Sequence, residues 1–209
     1  MLNSSIPELI ARIIVLVVAF TVHEFAHAWT ANYLGDDTPR SQGRLTLNPL
    51  VHLDPMGSLL LLVAGFGWAK PVMINPVALR QRSPAGPMLV ALAGPLSNLF
   101  LAAVAAIPVQ AGLIERGVFS SGIFPSGFQL ASEFVFINLL LMLFNMIPIS
   151  PLDGEKVLSY FLPPAGQALM DRIRPYGPML LIAIIFVFPS FLQILIGTPI
   201  RFLLGVFLG

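Results

Sequence analysis

The chemistry in this 209-residue chain is concentrated in one short run, His23-Glu24-Phe25-Ala26-His27. Histidines four residues apart lie on one face of a helix, one turn above each other, so their imidazoles can grip a single Zn²⁺. The glutamate beside the first histidine can then reach a water held at that ion and take its proton. A catalytic zinc site needs three protein ligands and an open position. The chain has no cysteine, which excludes thiolate ligands and disulfides and leaves His, Asp or Glu to complete the set. Three candidates stand in proline-rich surroundings: His52 and Asp54 in Asn48-Pro49-Leu50-Val51-His52-Leu53-Asp54-Pro55, and Asp153 in Asn145-Met146-Ile147-Pro148-Ile149-Ser150-Pro151-Leu152-Asp153-Gly154.

The elements that must position these groups are apolar. Hydrophobic residues make up 56% of the chain and charged residues 10%, and the mean hydropathy is +0.87. A soluble domain of this size could not hide so much apolar surface, whereas a bilayer removes the need to hide it. The net charge of +1 gives no bulk field to steer nucleic acid. Crossing a hydrocarbon core takes roughly 20 helical residues. Four stretches are long enough, at about 10–34, 87–109, 128–149 and 175–196. The first is too long for a signal peptide and has no small-residue cleavage site, so it is expected to persist in the mature protein.

Between the first two spans, the apolar piece 56–66 is about half the necessary length and reads as a re-entrant or interfacial segment. The C-terminal piece 199–209 is similarly short and reads as an interfacial helix. Two β-like pieces, 43–48 and 70–75, flank the re-entrant segment and suggest a small sheet at the membrane face. The expectation is therefore an all-α polytopic membrane protein, a single domain over 1–209, with four spans, a re-entrant segment and small β pieces.

Arg40, Arg44, Lys70, Arg80, Arg82, Lys156, Arg172 and Arg174 fall on one side of this topology, against Arg12, Arg116 and Arg201 on the other. The positive-inside rule puts the first side in the cytoplasm and both termini outside. His23 and His27 then lie in the cytoplasmic half of the first span. The third span, running the same way, delivers Asp153 to the same face. The loop holding His52 reaches that face too, so depth does not exclude it. Asp153 is favoured because the prolines before it break a helix end, where a carboxylate can sit at membrane depth in an unwound turn.

An HEFAH run in an apolar helix, followed more than a hundred residues later by the NxxPxxPLDG pattern over 145–154, resembles the site-2 protease family of intramembrane zinc metalloproteases. Gly43-Arg44-Leu45-Thr46-Leu47-Asn48-Pro49, Gly67-Trp68-Ala69-Lys70-Pro71-Val72 and Gly94-Pro95-Leu96-Ser97-Asn98 extend the resemblance over roughly residues 10 to 155. The resemblance implies one catalytic Zn²⁺ held by His23, His27 and Asp153, with Glu24 as general base. It also implies hydrolysis of peptide bonds within or next to transmembrane segments of other membrane proteins. Relatives with a PDZ domain or a CBS pair are longer, so this chain reads as a compact member. Where the family motif often reads LDGG, Glu155 follows Gly154 here, with no role assigned.

The resemblance leaves two roles open for Asn98, a contact to the substrate backbone or oxyanion and an interhelical polar contact. Asn145 has a similar choice, between substrate contact and holding the broken helix. His52 reads as a loop-ordering hydrogen bonder and Asp54 as a cap on the short apolar segment. Glu133 reads as snorkelling to the interface, and Trp29 and Trp68 as interface anchors. The competing classes are a zinc transporter and a non-proteolytic zinc-binding scaffold. A transporter would string ligands across the bilayer, but the candidates here cluster at one depth. Composition and size suggest a prokaryotic plasma membrane, with the active site towards the cytoplasm.

Overall fold

A computed structural model describes residues 5–57, 60, 67–120 and 122–209. Among the described residues, four helices are long and apolar enough to span a membrane: α1 (Ile6–Tyr33), α5 (Gly86–Gln110), α6 (Gly127–Asn145) and α10 (Pro189–Leu208). Shorter helices connect them. These are α2 (Thr38–Ser41), α3 (Pro49–His52), α4 (Pro76–Arg82), α7 (Asp153–Phe161), α8 (Pro164–Ile173) and α9 (Gly177–Val187).

Local chemistry starts the helices. Ser5 with Glu8 and Ser126 with Gln129 each form a reciprocal capping box, which satisfies backbone donors at the first turns of α1 and α6. Asn48 and Asn75 cap α3 and α4 through their side-chain oxygens.

The centre of the molecule is α5, which packs against α1, α6, α7 and α10. Its inner face carries Ala102 and Ala106 against Val135 and Leu139 of α6 and Ile200 of α10. A second cluster joins Val15, Leu16 and Ala19 of α1 to Ile137 of α6. Small residues at these contacts let the helix axes approach, which matters where lipid offers no hydrophobic drive for helices to associate. Phe100, Ile107, Phe186 and Phe202 point outward and are largely exposed, as lipid-facing side chains are.

Polar contacts fix the relative directions. His23 and His27, late in α1, meet Asn98 and Val90, early in α5, so those helices are antiparallel. Arg12 pairs with Glu133 at 2.8 Å near the starts of α1 and α6, which therefore run parallel. This pair replaces the snorkelling expected of Glu133: Arg12 holds Oε1 inside the bundle, while Oε2 is buried without a hydrogen-bond partner among the described residues. Gln110, ending α5, donates to the carbonyls of Val206 and Phe207 near the end of α10.

Two expectations need correction. The fourth span lies at 189–208 rather than 175–196. The chain breaks at Phe188 (φ −121°, ψ 52°), because Pro189 disfavours helical geometry in the residue before it and lacks an N–H to continue the ladder. Most of the C-terminal piece at 199–209 therefore belongs to a helix long and apolar enough to span, instead of forming a short interfacial one.

Nor do the described residues contain a strand. One isolated antiparallel bridge, Leu53 to Ala69, pairs the backbones of the two loop regions. The pieces at 43–48 and 70–75 are irregular because side chains take the backbone groups that a ladder would have used. Thr46 O accepts from His52 Nε2, and Arg44 donates to the carbonyls of Val51, Lys70 and Pro71. Asp36 accepts from the Asn75 amide at 2.6 Å. Most of the expected re-entrant segment, 58–59 and 61–66, lies outside the described residues.

Candidate metal centre

The helix carrying HEFAH continues unbroken from Ile6 to Tyr33, so the spacing delivers both imidazoles to one face. Asp153 arrives differently. Helix α6 ends at Asn145, a turn containing Pro148 and Pro151 follows, and Asp153 opens α7. Gly154 makes this turn possible, since a Cβ there would collide with the carbonyl oxygen of Ile147 at 2.6 Å. A carboxylate in the first turn of α7 is also favoured by the helix dipole.

These elements bring His23 Nε2, His27 Nε2 and Asp153 Oδ2 together. The two imidazole nitrogens are 3.0 Å apart, and the carboxylate oxygen stands 3.3 Å and 3.2 Å from them. All three residues are buried.

The far sides of the rings decide what the near sides can do. His23 Nδ1 donates to Asn98 Oδ1 at 2.6 Å, and His27 Nδ1 donates to the Val90 carbonyl at 2.7 Å. A backbone carbonyl can only accept, which places the His27 proton on Nδ1. The Asn98 amide nitrogen gives its hydrogens to Ala19 O and Asn138 Oδ1, so its oxygen must face His23. In the neutral rings that metal binding requires, both Nε2 atoms are then lone-pair acceptors, facing a third acceptor.

Three mutually adjacent acceptors repel one another unless a cation lies among them. In a tetrahedral site, Zn²⁺ holds such atoms at about 2.1 Å, which sets them roughly 3.4 Å apart. The observed separations are close to that. The donor set is therefore one that could hold Zn²⁺, and hydrogen bonds to the outer ring nitrogens are how proteins orient such ligands.

Glu24 faces the same cavity, one residue and about 100° around the helix from His23. Its Oε2 accepts the Val72 amide at 3.2 Å, which ties the 70–75 segment to the site. The cavity measures about 130 Å³ and is lined by the three candidate ligands, Glu24, Val72, Ile74, Asn145 and Lys156 among others. That is room for a few waters or a short piece of unwound peptide.

The remaining sequence candidates are accounted for. Asn145 borders the cavity while its Nδ2 holds Leu141 O at 3.0 Å. Asn98 is wholly buried behind His23 and does not line the cavity. His52 is also wholly buried and bonded to Thr46 O, away from the cluster. Asp54 accepts the Gly57 amide at 2.8 Å. Glu155 pairs with Arg174 at 2.7 Å and accepts from Ser159.

Residues that the sequence did not single out as functional also shape the site. Gly94 lies against both imidazoles, where a Cβ would come within 2.6 Å of His23 Nε2. A glycine inside an apolar helix is the signal that could have marked it. Asn138 extends the chain of carboxamides behind His23 and is completely buried.

Fold and site together show four helices, among the described residues, long and apolar enough to cross a membrane, around an HExxH-plus-aspartate group that could hold a metal ion. The chain is 42% identical over 181 residues to YwhC of Bacillus subtilis (strain 168), covering 85% of this chain and 80% of that protein. It is 32% identical to Rip2 of Mycolicibacterium smegmatis, covering 83% of this chain and 65% of that protein. It is 34% identical to MJ0611 of Methanocaldococcus jannaschii, covering 76% and 74% respectively. Each of the three is named for an inferred zinc metalloprotease activity. No protein-family model matches the chain, and no solved structure matches it significantly. The chain belongs to the site-2 protease family of membrane zinc metalloproteases.

Proposed function

We propose that this protein is an intramembrane zinc endopeptidase, hydrolysing peptide bonds within or next to the transmembrane segments of other membrane proteins. The observation that carries this reading is the convergence of His23 Nε2, His27 Nε2 and Asp153 Oδ2, beside Glu24, in one polar cavity among membrane-spanning helices. Ionisable groups are costly inside a membrane, and a set aimed at one point is a functional arrangement.

His23, His27 and Asp153 would hold the ion. When bound, Zn²⁺ supplies Lewis-acid polarisation of the scissile carbonyl and lowers the pKa of its water. Glu24 takes the proton of the attacking water and later passes it to the leaving amine. Its Oε1 takes no hydrogen bond among the described residues, while Oε2 is held by Val72. Asn98 positions His23 from behind, and Asn145 borders the space where a substrate backbone would lie.

The substrate helix must unwind to expose its backbone, and the polar cavity supplies the water that hydrolysis consumes. The excess of basic residues in the loops on the side of His23, His27 and Asp153 supports a site that faces the cytoplasm, and the reading puts it in a prokaryotic plasma membrane.

The test is cleavage of a single-span substrate in detergent by wild type, Glu24→Gln and Asp153→Ala, with metal content measured alongside. Cleavage only by wild type, with zinc kept in Glu24→Gln and lost from Asp153→Ala, is the expected result. Undiminished cleavage by Glu24→Gln would overturn the reading. Zinc movement across vesicles without cleavage would favour a transporter instead.

A further inference from the structure

A peptide hydrolase needs more than a metal and a base. Negative charge gathers on the scissile carbonyl oxygen during attack, and preorganised donors aimed at that oxygen commonly contribute a large part of the catalysis. The candidate metal ligands and Glu24 cannot act as such donors. His23 and His27 use their ring N–H groups on Asn98 and Val90, and Asp153 and Glu24 are acceptors. Among the described residues lining the cavity, the side chains with donors to offer are Asn145 and Lys156. Asn145 already commits one amide hydrogen to Leu141 O.

Lys156 is different in kind. It stands in the first turn of α7, three residues after Asp153 and on the same helix face. Its Nζ is 3.8 Å from Asp153 Oδ1, the carboxylate oxygen turned away from the imidazoles. That separation is an ion pair and too long for a hydrogen bond. Lys156 makes no hydrogen bond among the described residues, so its ammonium donors remain uncommitted. The side chain is 39% exposed, leaving the head group free to swing within the cavity mouth.

Resting on the peptidase reading above, we infer that Lys156 is a catalytic residue that donates to the scissile carbonyl oxygen as it becomes an oxyanion. In the step concerned, the water oxygen bonds to the carbonyl carbon while its proton passes to Glu24. The carbonyl π pair moves onto oxygen, to which the Lys156 N–H donates a hydrogen bond. On collapse that pair re-forms the C=O bond and the C–N bond breaks. The nitrogen keeps the bonding pair and takes the proton from Glu24, leaving an amine and a carboxylic acid. A charged donor is roughly twice as strong as a neutral one, which favours Lys156 over Asn145 for the larger share.

The chain has no cysteine, so a Lys156→Cys variant carries the sole thiol, and alkylation with 2-bromoethylamine rebuilds an ammonium at almost the same place. Removing one oxyanion donor typically lowers kcat by about 10²–10³-fold. The expected result for Lys156→Cys and Lys156→Met is a loss of that size, with KM little changed and wild-type zinc per chain. Alkylation restores most of the lost kcat. Affinity for a phosphinic peptide, which mimics the tetrahedral intermediate, falls in parallel with kcat/KM.

Unchanged kcat in Lys156→Met, with wild type active, overturns this inference and leaves the peptidase reading standing. So does a loss of kcat that tracks lost zinc and is cured by adding zinc, since Lys156 would then act only through Asp153. Full activity in Glu24→Gln overturns the peptidase reading and this inference with it.

Discussion

Asn98 Oδ1 accepts the Nδ1–H of His23 at 2.6 Å, and this bond joins α1 to α5 directly behind the candidate metal centre. The Asn98 amide continues to Asn138 on α6, so three spanning helices share in orienting one imidazole. A metal ligand held this way keeps a fixed tautomer and ring angle.

Replacing Asn98 by Ala should therefore weaken zinc binding by about 10–100-fold, the usual range for loss of such a partner. A competition titration against a chromophoric chelator measures it. An affinity equal to wild type would mean that α1 alone orients the ring.

Gly94 makes a different prediction. A methyl group at this position meets both imidazoles, so Gly94→Ala must push α5 away from α1 or rotate the histidines out of register. Zinc per chain should fall well below that of wild type while the protein still folds into detergent micelles. Stoichiometric zinc in Gly94→Ala would show that the helices separate without disturbing the ligands.

Arg44 is buried and donates to the carbonyls of Val51, Lys70 and Pro71. Arg44→Met removes these donors together; Val51 is half-buried and Lys70 and Pro71 are exposed, so water replaces part of what is lost and each bond costs about 0.5–1.5 kcal/mol. Hydrogen exchange over 70–75 should accelerate, and kcat should drop because Val72 no longer holds Glu24 in place. Zinc should remain bound, as no ligand is touched. Exchange as slow as in wild type would show that Asp36 and Glu24 suffice to hold the segment.

Glu155 is buried beside Asp153, and its partner Arg174 belongs to the turn before α9. The hydrogen bond to Glu155 and its charge raise Arg174 above the ordinary guanidinium range. Arg174→Met leaves a buried carboxylate without its cation. Breaking a fully buried pair costs about 3–5 kcal/mol; with the Arg174 side chain half exposed, water screens it and about 1–3 kcal/mol is expected. The melting temperature should fall in Arg174→Met and recover in part when Glu155→Gln is added. Equal melting temperatures in wild type and Arg174→Met would show that solvent replaces the arginine.

The local features were legible in the sequence for local reasons. Hydropathy over about 20 residues marks a spanning helix, and α1, α5 and α6 lie close to where it puts them. A spacing of four places His23 and His27 on one face whatever surrounds them. Pro148 and Pro151 announce a break before Asp153, and α6 indeed ends before them. The fourth span was displaced because apolar composition runs on through Phe188, and only the backbone break before Pro189 divides it.

What the tertiary structure decided lies between residues far apart in the chain. His23 meets Asn98 across 75 positions and Asp153 across 130, and no periodicity in α1 contains either partner. The 70–75 segment has strand-like composition, yet Arg44, Asp36 and Glu24 claim its backbone groups and no ladder forms. Composition states what a residue can bond to. Helix packing determines which partner is close enough to bond.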